Sequence, residues 1–169
     1  MKARFALAAV AAAALLGAGG ARADVRMIEL GPRLSLDLNN DSHVALGAEA
    51  RFGLYQIAPT VRFDLRPTFD YYFYGGGTNA FDLSGDALFA FDVQSEVVEP
   101  YALGGLGIFH YSFDNAFGSD STTKLGLNLG GGAKFLPRGK VQPFVEIRAT
   151  VGFDGSPVVL TGGVLFILQ

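Results

Sequence analysis

Residues 60–73 read TVRFDLRPTFDYYF. Val61, Phe63, Leu65, Pro67, Phe69 and Tyr71 alternate with Arg62, Asp64, Arg66, Thr68 and Asp70. Side chains in an extended chain point to opposite faces in turn, so this stretch predicts a β-strand with oil on one face and paired charges on the other. A helix would scatter both sets around its circumference. The fold then turns on whether the neighbouring segments repeat the pattern.

They do, with turn residues between repeats. Ile28, Leu30, Pro32, Leu34, Leu36 and Leu38 oppose Glu29, Gly31, Arg33, Ser35 and Asp37, and NNDSH (39–43) breaks the run. Val44, Leu46, Ala48, Ala50, Phe52 and Leu54 oppose Ala45, Gly47, Glu49, Arg51 and Gly53. After the opening stretch, Phe81, Leu83, Gly85, Ala87, Phe89 and Phe91 oppose Asp82, Ser84, Asp86, Leu88 and Ala90. The fifth segment, PYALGGLGIFHY (100–111), is apolar on both faces and gives no parity. In the sixth, Leu125 to Phe135 oppose Lys124 to Lys134; in the seventh, Val141 to Val151 oppose Gln142, Phe144, Glu146, Arg148 and Thr150. PVVLTGGVLFILQ closes the chain.

Segments of about ten residues suit strands crossing a bilayer at a tilt and exceed the usual five or six of globular strands. An even set of eight matches the smallest outer-membrane barrels. The predicted fold is all-β, an eight-stranded antiparallel up-and-down transmembrane barrel. LYQIAP (54–59), VQSEV (93–97) and LPRGK (136–140) read as tight turns, and YFYGGGTN (72–79) and SFDNAFGSDSTT (112–123) as longer loops. Short turns face the periplasm in such barrels and longer loops face outward. Pro59, Pro100 and Pro143 fall at strand starts, where a missing donor costs least, while Pro32 and Pro67 inside strands suggest bulges.

The chain opens MKARFALAAVAAAALLGAGGARA, with Lys2 and Arg4 before a short apolar run and Ala21-Arg22-Ala23 as a cleavage pattern. This reads as a secretory signal peptide over 1–23, leaving one domain over 24–169. Removing Lys2, Arg4 and Arg22 from the 13 basic residues leaves 10 against 16 acidic ones, a balance that disfavours nucleic acid as a partner. Cysteine is absent, so no disulfide staples the fold. No later run of 18 apolar residues offers a helical span.

Alternation alone does not say which face is inside, and a soluble secreted lipocalin-like barrel binding an apolar ligand is the competing architecture. Opposite the apolar face stand Glu29, Asp37, Glu49, Asp64, Asp70, Asp82, Asp86 and Glu146 with Arg33, Arg51, Arg62, Arg66, Lys124, Lys134 and Arg148. The signs nearly cancel, as a narrow closed lumen requires, and arginine dominates the bases, whose planar fork suits carboxylates in confined space. Asp64 is expected to neutralise Arg62 or Arg66. Phe52, Tyr55, Phe63, Phe91, Tyr101, Phe135 and Phe166 are expected to form one aromatic girdle, and Phe69, Tyr71, Phe81, Phe109 and Tyr111 the other.

Through PYALGGLG (100–107), QPFVEIR (142–148) and TGGVLFIL (161–168), the chain resembles the small eight-stranded outer-membrane barrels of Gram-negative bacteria, such as the transmembrane domain of outer membrane protein A and outer membrane protein X. The resemblance implies a monomer among outer-membrane lipid and lipopolysaccharide, folded by the barrel assembly machinery, with a structural or surface-interaction role. It implies a filled lumen and little conductance; no cofactor is expected, and with His43 and His110 the only histidines no metal site is expected either. His110-Tyr111-Ser112 resembles the H-x-S core of lipid A 3-O-deacylases, barrels of similar size. A histidine beside a serine hydroxyl generates a nucleophile when an acid orients the ring. The acid expected a dozen or so residues after the serine is here Lys124, so the plainer reading is a rim histidine and a loop serine.

Overall fold

The computed structural model describes residues 27–39, 43–74, 78–115, 118–152 and 156–168. The signal peptide read over 1–23 lies outside them. Eight strands follow in chain order: β1 (Met27–Asp37), β2 (Val44–Ala58), β3 (Val61–Phe73), β4 (Thr78–Phe91), β5 (Val98–Asn115), β6 (Gly118–Phe135), β7 (Val141–Val151) and β8 (Val158–Leu168). Each pairs antiparallel with the next, and β8 returns to β1 from Asp37↔Val159 to Ile28↔Leu168, closing the barrel. Closure leaves the sheet with no open edge along its body.

The two faces are sorted the way lipid requires. Leu34, Leu46, Leu83, Leu106, Leu127 and Ile147 are all exposed, whereas Arg33, Glu49, Arg66 and Arg148 are buried. A soluble barrel would bury the first set and wet the second, so the lipocalin-like alternative fails on this point. In β3 the alternation of the opening stretch is literal: Leu65 is 39% exposed and Phe69 46%, while Arg66 and Asp70 are at 0%.

Parity in β5 follows from its register with β4. Tyr101, Leu103 and Gly107 are buried on the inner face, while Ala102 and Leu106 are exposed. Three girdle expectations are corrected by this: Tyr101 points inward and is buried, Phe109 packs inside against Tyr72 with ring centroids 5.6 Å apart, and Tyr111, though exposed, faces inward at the mouth against Tyr74. All three are hidden in the sequence because glycines, not charges, fill much of this strand's inner face. Tyr55, Phe91, Phe135, Phe166 and Phe69 do lie exposed on the outer face.

Strands are longer than expected, 11 to 18 residues. The segment read as the turn 54–59 is mostly strand, since β2 runs to Ala58 and only Pro59 and Thr60 turn. The segment read as the loop 112–123 is hairpin: β5 and β6 stay paired to Asn115↔Gly118, past the point where β7 leaves β6 at Leu127↔Val151. Ser, Thr, Asp and Gly signal a loop in sequence, but an antiparallel partner in register overrides that weak preference. Similarly β3 extends to Phe73 and β4 begins at Thr78, inside the loop read over 72–79.

Pro32 and Pro67 do not sit at bulges. Opposite each, the ladder omits two pairings on one side, Gly31 and Pro32 against β8 and Arg66 and Pro67 against β2, and then resumes unshifted. The missing N–H breaks the ladder locally without moving the register. The bulges are in β2, between Gly53 and Tyr55 and between Gln56 and Ala58. The first turns Tyr55 outward, where it stacks on Phe63 at 5.0 Å.

Candidate functional site

The barrel interior is the chemically distinctive region, and it is arranged in storeys. At the end where β1 begins and β8 ends, Lys134 Nζ donates to Glu29 at 2.8 Å and lies 3.1 Å from Glu99. Glu99 also accepts from Arg62 at 3.0 Å, and the Arg62 guanidinium forks onto both oxygens of Asp64. Asp64 therefore serves Arg62, not Arg66.

The middle storey centres on Arg66, whose side chain is fully buried. It donates to Glu146 through two nitrogens and to Asp86 at 2.7 Å, with Glu49 3.8 Å away. Tyr101 gives its hydroxyl proton to Glu146 at 2.9 Å. Glu49 accepts from Arg33 at 3.0 Å and Arg51 at 2.7 Å. The Arg51 guanidinium stands over the Tyr101 ring at 4.6 Å and the Phe144 ring at 5.0 Å.

Two glycines make that arrangement fit. A Cβ at Gly132 would come 2.6 Å from the Tyr101 hydroxyl, and one at Gly163 would come 2.5 Å from a ring carbon of Phe144. The absence of a side chain at these inward positions is what lets the two rings lie against Arg51.

Above, Arg148 reaches Asp82 at 3.0 Å and Ser84 at 3.2 Å. Asn128 donates to Ser84 and Asp86 and accepts from Thr150. Arg33 lies 3.1 Å from Asp70 and donates to Thr161, which shares a hydrogen bond with Ser35. The interior thus holds two ion-paired groups, Glu29, Lys134, Arg62 and Asp64 joined through Glu99, and Arg33, Glu49, Arg51, Arg66, Asp70, Asp82, Asp86, Glu146 and Arg148. Asp37 and Lys124 are placed elsewhere, half-buried at the opposite mouth. Glu99, Tyr101, Ser84, Asn128 and Thr161 also belong to the network. Glu99 was legible in principle, since Pro100 marks a strand start and Glu99 shares the parity of Tyr101.

That mouth holds a cavity of about 400 Å³, lined by Tyr72, Tyr74, Phe109 and Tyr111 with Asp37, Asp82 and Lys124 among its polar groups. Tyr72 meets Phe109 edge-on, Tyr74 meets Tyr111 edge-on at 5.8 Å, and the His43 ring lies 4.1 Å from Tyr74. Burial, with Asp37 and Tyr111 nearby, pushes the Tyr74 hydroxyl up to about 12, so this ring stays neutral at ordinary pH.

His110 and Ser112 share the outer face of β5, as alternate positions must. The His110 ring stacks on Phe81 at 5.0 Å, and its Nδ1 is 2.9 Å from the Thr123 hydroxyl of β6. A neutral hydroxyl, not a carboxylate, meets the nitrogen that an orienting acid would take.

Residues 3–157 match the family described as "Outer membrane protein beta-barrel domain". No curated protein matches the sequence closely enough to count as a relative. The fold is similar to the N-terminal β-barrel domain of Pseudomonas aeruginosa OprF, with a TM-score of 0.67 at 15% identity over 84% of this chain and 97% of that one. It is similar to Ail, the attachment invasion locus protein of Yersinia pestis, with a TM-score of 0.60 at 18% identity over 84% and 97%. The outer membrane enzyme PagL gives 0.50 at 11% identity over 82% and 99%. At such identities the likeness is one of fold.

Proposed function

The chain belongs to the outer membrane protein β-barrel domain family, and from that premise we propose that it is a monomeric, non-catalytic wall protein of the bacterial outer membrane, with its interior sealed by ion pairs. Residues 1–23 direct export, and the barrel assembly machinery inserts residues 24–169. The strand ends at the mouth and the β5–β6 hairpin face outward among lipid and lipopolysaccharide, offering a surface for contact. The end where β1 begins and β8 ends, with the turns at 59–60, 92–97 and 136–140, faces the periplasm.

The observation that carries this reading is the depth of the buried ion pairs, which follow one another from Glu29 and Lys134 at one end to Asp82 and Arg148 below the mouth. An eight-stranded interior is just wide enough for its own side chains. The test is ion conductance in planar bilayers. Purified barrel should give no regular channel steps, and uniform open steps of a water-filled pore would overturn the reading.

PagL is a fold neighbour, so the hydrolase reading has a specific test. With Thr123 against His110 Nδ1, expression of the protein should leave lipid A acylation unchanged by mass spectrometry. Loss of an acyl chain that His110→Ala abolishes would replace the non-catalytic reading.

A further inference from the structure

The larger ion-paired group of the interior sets four guanidiniums, those of Arg33, Arg51, Arg66 and Arg148, against five carboxylates, and the five are not held alike. Glu49 accepts hydrogen bonds from Arg33 and Arg51, Glu146 and Asp86 accept from Arg66, and Asp82 accepts from Arg148 and Ser84. Asp70 is the exception. Arg33 Nε at 3.1 Å and Arg148 at 3.8 Å are near it, but among the described residues no guanidinium donates a hydrogen bond to it. Its Oδ1 accepts a long one of 3.5 Å from Ser35, and its Oδ2 is buried without a hydrogen-bond partner among the described residues.

Asp70 also stands directly across the β3–β4 ladder from Asp82, a placement in which like charges repel. Around it, β1 supplies Arg33, β2 Glu49, β4 Asp82, β7 Arg148 and β8 the neutral Thr161, while Asp37 and Lys124 line the mouth above. Both arginines already donate to another acid. Asp70 is 0% exposed, so water does not carry the surplus charge. In the other ion-paired group three carboxylates also outnumber two bases, but there the side chains of Arg62 and Glu99 are 28% and 13% exposed, and solvent shares the charge. From this arrangement we infer that Asp70 carries a proton on Oδ2 in the folded barrel at neutral pH. The group then closes as four cations against four anions and one neutral acid. An aspartate in the unfolded chain is ionised at that pH, so folding takes up one proton at Asp70, and stability falls as pH rises. This rests on the sealed interior proposed above.

The test follows the carboxyl and its linkage to stability. Infrared spectra of the barrel folded in vesicles at about pH 7 should show the C=O stretch of a protonated carboxylic acid, and Asp70→Asn should remove it. Asp70→Asn keeps the shape of the neutral acid, so at about pH 6 it should fold as stably as the parent. Asp82→Asn, which strips Arg148 of its acceptor, should be clearly less stable. Between about pH 6 and about pH 8, the parent's folding equilibrium constant should fall relative to that of Asp70→Asn, by up to roughly tenfold per pH unit for one proton. A band that survives in Asp70→Asn, or the same pH dependence in both barrels, would overturn the inference. An Asp70→Asn barrel much less stable than the parent would also overturn it, because Asp70 would then be charged and paired. Absence of the band from a parent barrel that conducts no ions would overturn the proton alone and leave the sealed interior standing.

Discussion

Arg62 and Arg66 lie four residues apart on the same face of β3, yet they live in different surroundings. Arg62 is 28% exposed in its side chain and holds Asp64 and Glu99 at the terminal end of the barrel. Arg66 is fully buried and is shared by Glu146, Asp86 and the more distant Glu49. Sequence pattern makes the two arginines equivalent, and depth in the barrel makes them different. A half-wet guanidinium that loses one partner recovers water, whereas a dry one leaves its carboxylates stranded.

The sharpest way to break this comparison is Arg66→Leu. Three buried carboxylates then lose their shared cation, and stability should fall by about 3–5 kcal/mol. Urea unfolding in lipid vesicles measures it, and a loss no larger than that of an Arg62→Leu barrel would erase the distinction. Gly132→Val comes next. Its side chain would intrude on the Tyr101 hydroxyl that donates to Glu146, and overpacking of this kind should cost about 1–3 kcal/mol. Gly139→Ala, at a turn, serves as its control. Asp64→Ala should cost least, about 1 kcal/mol, because Arg62 keeps Glu99 and reaches water. An effect matching Arg66→Leu would mean that the terminal end is as dry as the middle.

The same contrast explains what could be read from sequence. Strands with charges on one face, such as β3 and β7, declared their parity at once, because a charge facing lipid is too costly to leave the choice open. In β5 the inner face carries Gly105 beside Asp86 and Gly107 beside Ser84, where missing side chains make room for polar groups from β4. Space is as specific as charge there, but it leaves no mark in a hydrophobic pattern. Glu99 and Tyr101 were missed with it. Only the outer part of the β5–β6 hairpin, 112–123, reads as loop, because pairing between distant residues, such as Ser112↔Ser121, cannot be weighed from local composition. The charged residues of the interior were legible; which acid met which base was not, since partners such as Arg66 and Glu146 come from strands far apart in the chain.

The sealed interior can be probed at one atom. Thr68 faces inward between the middle storey and the one above it at 2% exposure, and the chain has no cysteine of its own. Thr68→Cys therefore places a single thiol of similar size inside the barrel. Folded in vesicles, it should resist a water-soluble maleimide and become fully labelled once urea unfolds the protein. Rapid labelling of the folded barrel would mean that water fills the lumen, and it would contradict the account of its charges as a closed, self-neutralising wall.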